Sequence, residues 1–222
     1  MRITVLSNGD FRHNSQLHRD ILELSQPSYE DASVVLAAAL SNYDTVYLSR
    51  DDDDKLISFF MAGHEDVYIA AQSVPTIHLG WTCAAQETKG LGAARLLYSQ
   101  FIDDSLKLQK SKGESLLLWG TTATPIGFYL YHKHFVGVQP GYDGTYPGTV
   151  IEVAEALRRR LGVISTNANP FVLPGISKAR FSQDEIRRIK EISANKAFTL
   201  FKDMGIDERN GDRLLVVCRL PL

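Results

Sequence analysis

Lys89-Gly90-Leu91-Gly92-Ala93-Ala94, followed by Arg95-Leu96-Leu97, is the stretch that decides how this chain is read. It lies between an apolar run, Ile77 to Ala84, and a helical pattern that extends from about Gly92 to Lys107. A glycine-rich turn feeding a helix start presents several unpaired backbone N–H groups in one small arc. Together with the positive end of the helix dipole, that arc suits a phosphate or pyrophosphate. A side chain at Gly90 or Gly92 would block the close approach such a contact needs.

Two phosphate-binding motifs do not fit. A P-loop needs Lys-Ser/Thr after its last glycine, and here Ala93-Ala94 follows Gly92. The dinucleotide fingerprint needs a small residue three positions after Gly92, where the chain has Arg95. It also needs an acidic residue ending a second strand about 20 residues further on, and none is well placed. Taken alone, the six residues also read as a plain strand-to-helix turn with no ligand.

Working outward, Thr45 to Arg50 reads as a strand, Asp51 to Asp54 as a tight turn, and Leu56 to Ala62 as a second strand. Downstream, Ser115 to Trp119 is an apolar strand. Thr124-Pro125 then opens a short aromatic helix, Ile126 to His134, with Thr at the N-cap and Pro at the first helical position. An opening strand, Arg2 to Ser7, and helices around Ser15 to Leu24 and Tyr29 to Leu40 precede these. Phe135 to Val138 and Arg213 to Leu220 read as the last two strands.

This order resembles the core of the GNAT superfamily of acyl-CoA N-acyltransferases. Its signature, Arg/Gln-x-x-Gly-x-Gly/Ala followed by apolar residues, is matched by Lys89 to Ala94, with Lys89 in place of Arg or Gln. The resemblance implies an α/β (α+β) fold: a mixed, mostly antiparallel sheet flanked by helices, with splayed central parallel strands. It implies acetyl-CoA or another acyl-CoA as co-substrate, pantetheine between the splayed strands, and transfer of the acyl group directly to an amine.

The chemistry leaves the protein three tasks once the amine is aligned on the thioester. The oxyanion falls to a backbone N–H near Ala84, so Cys83, Ala84, Lys89, Gly90, Leu91, Gly92, Ala93 and Ala94 are the expected cofactor contacts. Cys83 as a nucleophile has no His partner in its sequence context. The leaving thiolate needs an acid of matching pKa, which a phenol supplies. The family pattern Asn-x-x-Ala-x-x-Leu/Phe-Tyr places this residue at Tyr131, with Gly127 at the Ala position and Thr124, a further cofactor contact, at the Asn position. A second register, on Phe128-Tyr129, makes Tyr129 the acid instead. Six positions before Ala84, where a family branch carries its base, stands His78. A water chain is the other way to remove the proton. His132 and His134 read as surface residues, and Trp81, Phe128, Tyr142 and Tyr146 as either acceptor-pocket lining or packing.

At 222 residues the chain suits a single GNAT-like domain, with 139–212 inserted between the last two strands. That insertion holds a Gly/Pro/Tyr-rich loop, Gln139 to Gly148, and an amphipathic helix, Thr149 to Leu161. A Pro/Asn-rich loop, Ser165 to Gly175, follows, then a helix from the capping box Ser182-x-x-Glu185 to about Met204. It serves as a lid over the acceptor or as a homodimer interface. A net charge of −2 and a pI near 6.3 argue against a general nucleic-acid binder. Cys83 and Cys218 have no metal-ligand spacing, so no metal and a reduced, cytoplasmic setting are expected. No apolar run is long enough to span a membrane. A cation site at Asp51–Asp54 lacks the further ligands of a calcium loop. A small-molecule amine is the expected acceptor. The competing functions are a non-catalytic acyl-CoA sensor and a nucleotide-cofactor-binding protein.

Overall fold

The computed structural model describes residues 1–163, 169–192 and 196–221. They form two compact units, Met1–His64 with His78–Glu114, and Glu65–Ile77 with Ser115–Leu222.

In the first unit, β1 (Arg2–Ser7) leads through α1 (Asn8–Arg12), α2 (Ser15–Ser25) and α3 (Ala32–Asn42) to β2 (Thr45–Arg50). Next come β3 (Leu56–Ile69), β4 (Gln72–Ala84) and α4 (Ala93–Lys112). β1 pairs antiparallel with β2, from Arg2 opposite Arg50 to Ser7 opposite Thr45, and β2 pairs antiparallel with β3. The Asn14 side chain accepts the Leu17 N–H at 3.0 Å and starts α2. Leu17, Ile21 and Leu24 then recur at helical spacing and are buried. Asp31 caps α3 in the same way through the Ser33 and Val34 N–H groups. These helices cover one sheet face, where Val46, Leu48, Phe59, Met61, Trp81 and Cys83 form the core. α4 covers the opposite face, where Phe101 packs on Tyr47 and Phe60.

β3 and β4 run further than the expected strands, which end at Ala62 and begin at Ile77. Beyond them Val67 and Ile69 are buried while Asp66 and Tyr68 are exposed, the alternation of a half-buried strand. The turn at their tip is Ala70-Ala71, both at positive φ. Two-residue hairpins need that geometry, but Asn-Gly is its usual sequence signal, and two alanines give none.

In the second unit the strands are β5 (Leu117–Thr122), β6 (Val136–Gln139), β7 (Val172–Leu173) and β8 (Arg213–Arg219). The helices are α5 (Pro125–His134), α6 (Ile151–Arg160), α7 (Gln183–Ile192) and α8 (Lys196–Asp203). The C-terminal strand β8 lies between β5 and β6, antiparallel to both, and β7 pairs with its first residues. The outer part of β4 belongs to this unit. β4 and β5 are parallel neighbours, and Trp119 Nε1 on β5 donates to Thr76 Oγ1 on β4 at 3.3 Å. The sheet is therefore mixed and mostly antiparallel, with helices flanking it, as expected.

The short β7 falls in the segment read as a Pro/Asn-rich loop, of which residues 164–168 lie outside the described residues. The expected Ser182-to-Met204 helix is seen as α7 and α8, and 193–195 between them also lie outside. Its N-terminal cap is present, with Glu185 N–H donating to Ser182 Oγ at 3.2 Å. Among the described residues no helix is long and apolar enough to cross a membrane.

Candidate functional site

The first unit carries the glycine turn. β4 ends where Ala85 N–H donates to Ile57 O at 2.9 Å. A single turn, Gln86–Thr88, follows, and Leu91 N–H closes onto Thr88 O at 3.1 Å. Gly90 (φ 86°) and Gly92 (φ 94°) are both left-handed, a conformation that L side chains rarely adopt. A Cβ at either would meet nothing within 4 Å, so no protein atom demands glycine there. The backbone conformation does, and the approach to the turn stays open.

Gly92 is the N-cap of α4 and provides no side-chain cap. Its carbonyl accepts the Leu96 N–H at 3.2 Å, and the N–H groups of the preceding helical turn, Ala93, Ala94 and Arg95, have no intrahelical acceptor. No acidic side chain stands in that first turn to neutralise the dipole. Leu91 projects outward at 79% exposure. Lys89 does not face the same way. Its Nζ donates to Ser28 Oγ at 2.8 Å, in the loop between α2 and α3.

Further back along β4, the half-buried His78 has its ring 5.0 Å from that of Tyr43. The same Tyr43 ring fills the space beside Gly80, where a Cβ would come within 2.3 Å of it. Thr82 Oγ1 and Tyr98 OH are hydrogen-bonded at 3.2 Å. Trp81 and Cys83 point to the α2–α3 face, where Trp81 packs edge-on against Phe59 and Tyr29. Cys83 and Cys218 are both buried thiols outside any disulfide, and burial pushes the Cys218 thiol well up.

In the second unit, Thr124 caps α5 by accepting the Gly127 N–H at 3.1 Å, and Pro125 stands at the helix start. Gly127 is required by contact, since a Cβ there would lie 2.2 Å from Thr122 Oγ1. The helix separates its two tyrosines. Tyr131 is buried (9% exposed), with its ring 6.1 Å from Phe135. Tyr129 is 42% exposed, with Lys133 Nζ 5.8 Å from its ring centroid.

Tyr142 and Tyr146 also part company. Tyr142 stacks on His132 with ring centroids 3.9 Å apart, and Tyr146 packs on Phe171. Burial, then the neighbouring Tyr129, raises the pKa of Tyr142. His132 is therefore not the surface residue expected from its polar neighbours. It is half-buried between Phe128 and Tyr142, and its Nε2 is buried without a hydrogen-bond partner. Burial lowers its pKa, outweighing a hydrogen bond to the Pro140 backbone that acts the other way. His134 is likewise only half-exposed. The sequence signal for His132 was its i, i+4 spacing from the buried Phe128. Among the described residues no group of three or more His, Cys, Asp or Glu is placed to hold a metal ion.

The order of elements is the one expected from the sequence resemblance. No family model matches the sequence, and no curated protein matches it. Solved structures to which it is similar include a probable N-acyltransferase of Enterococcus faecalis V583, a conserved protein of unknown function. That similarity is at 13% identity and TM-score 0.42, over 62% of this chain and 32% of the other, so the chain spans about a third of that protein. The aminoglycoside 6′-N-acetyltransferase of Acinetobacter haemolyticus is similar at 17% identity and TM-score 0.42, over 60% of this chain and 88% of that one. AtaT, solved with acetyl-methionyl-tRNA, is similar at 12% identity and TM-score 0.40, over 68% of this chain and 98% of its own.

Proposed function

We propose that this chain is a GNAT-type N-acyltransferase that moves an acyl group, acetyl in the simplest case, from coenzyme A to an amine. The observation that carries this reading is the start of α4. Two left-handed glycines and an uncapped first turn, open to approach, stand at the end of the strand that precedes them. That arrangement suits a pyrophosphate held by backbone N–H groups and the helix dipole. Because Lys89 is turned to Ser28, the backbone does this work without it.

The residues divide the chemistry as follows. The Ala84 N–H donates to the developing oxyanion, where a fixed donor stabilises the transition state more than the ground state. Tyr131 is the acid for the departing thiolate, and Tyr129 is its rival from the second register. His78, or a water chain, removes the ammonium proton. We read 139–212 as an insertion in one domain, with Tyr142 and Tyr146 on its first loop and a lid or dimer interface as its role.

The test titrates acetyl-CoA and NAD(H) separately by calorimetry, then follows thiol release with a panel of amines. The proposal expects heat with acetyl-CoA alone and turnover with at least one amine. Heat with NAD(H) only would replace it with a nucleotide-binding function. Acetyl-CoA binding without any turnover, unaltered by Tyr131→Phe or Tyr129→Phe, would make the chain an acyl-CoA sensor.

A further inference from the structure

Consecutive residues of the α2–α3 loop close over β4 just before the turn. Ser28 Oγ lies 3.8 Å from Cys83 Sγ, and the Tyr29 ring meets Trp81 edge-on at 5.7 Å. Trp81 and Cys83 are two residues apart on a strand and so share its face. Ser28 is 2% exposed and Trp81 7%.

Two donors beneath this loop lack a good acceptor. The indole N–H of Trp81 is buried with no hydrogen-bond partner. Ser28 Oγ accepts from the Lys89 ammonium at 2.8 Å, so its own hydrogen must point elsewhere. The Cys83 thiol at 3.8 Å donates to the same oxygen, so it gives that hydrogen no acceptor. A buried donor left unsatisfied is costly, and a native one calls for an explanation. The ammonium also polarises the hydroxyl it bonds, making Ser28 a better donor to an anion.

We propose that these groups bind a carboxylate carried by the acceptor, so that the substrate is an amine of the amino-acid class. This inference rests on the acyltransferase reading. Cys83 immediately precedes Ala84, whose N–H that reading assigns to the thioester oxygen. A carboxylate held by Trp81 Nε1–H and Ser28 Oγ–H, in the field of Lys89, leaves an amine a few bonds away beside the acyl carbon. Amines bearing several ammonium groups would instead bring like charge towards Lys89.

The test uses matched acceptors: an amino acid, its methylamide, the amine left by decarboxylation, and a polyamine. The proposal expects kcat/KM for the amino acid to exceed that of the decarboxylated amine by about 10²-fold, since a polar site rejects analogues that leave it unpaired. Ser28→Ala and Trp81→Phe should each raise the amino acid's KM about tenfold at near-constant kcat, and cut its preference over the decarboxylated amine by a similar factor. A second readout needs no turnover. The protein has two tryptophans, so Trp81→Phe assigns the two indole N–H resonances. That of Trp81 should move downfield with an N-acetyl amino acid, but not with the decarboxylated analogue. Equal use of the decarboxylated amine or the polyamine, or an unmoved Trp81 resonance, overturns the carboxylate site while acyl transfer stands. Failure to bind acetyl-CoA at all overturns both.

Discussion

Two helix starts in this protein solve the same problem in opposite ways. α5 begins with its own chemistry complete: Thr124 accepts the Gly127 N–H, and Pro125 brings no N–H needing a partner. α4 is twice as long, yet begins on Gly92, with no side-chain cap and no acidic residue in the first turn. The glycines differ in the same sense. Gly127 is fixed by a Thr122 contact, whereas Gly92 is fixed by its φ alone and faces open space. A start satisfied by its own side chain has little left to offer a ligand. One left open at the end of a sheet strand keeps donors and dipole for an anion.

Substitutions at these starts should separate folding from binding. The largest expected effect is at Gly92. Gly92→Val should abolish detectable acetyl-CoA binding in calorimetry. It should cost only about 1–2 kcal/mol of stability, the scale of forcing a side chain into left-handed backbone. Gly127→Ala should do the reverse, with a clear drop in Tm from overpacking, about 1–3 kcal/mol, and acetyl-CoA affinity intact. If both variants behave alike, the contrast between the two helix starts is empty.

Next in size is Tyr131→Phe, which should reduce kcat about 10²-fold with little change in acetyl-CoA affinity. Finding that loss in Tyr129→Phe instead would move the acid to the exposed face of α5. Smaller again is Thr124→Ala, expected to cost about 1 kcal/mol in denaturant unfolding through loss of the cap. A loss of acetyl-CoA affinity larger than the loss of stability would make Thr124 a cofactor contact as well as a cap.

The smallest effect is a pH dependence at His132. Its folded pKa is lowered by burial, so its contribution to stability is present above the unfolded value of about 6.5. That contribution is lost as pH falls through the folded value. Stability measured from pH 7 down to 5 should fall, and His132→Phe, which keeps a ring for Tyr142, should flatten the curve. An imidazole midpoint above the free value in a proton NMR titration would contradict this.

What the sequence revealed and what it hid follow one physical line. The Gly90–Gly92 turn, the Thr124-Pro125 start and the apolar runs were legible because backbone geometry restricts which residues can stand there. The outer halves of β3 and β4 were not, because Ala70-Ala71 carries a left-handed turn without a turn residue. His132 was hidden because its burial depends on Tyr142, which reaches it from outside the helix. Lys89 was assigned by its place in a motif, while its side chain follows Ser28, from a loop far earlier in the chain. Chemistry carried by the backbone could be read along the chain, and chemistry made by long-range side-chain contacts could not.

The central claim is that the open start of α4 receives the pyrophosphate of an acyl-CoA. Backbone amide resonances followed during an acetyl-CoA titration test it most directly. The account predicts the largest shifts at Gly90, Gly92, Ala93 and Ala94, with saturation at one equivalent and no such response in Gly92→Val. Saturable binding that leaves those four amides unmoved, or no binding at all, would contradict it.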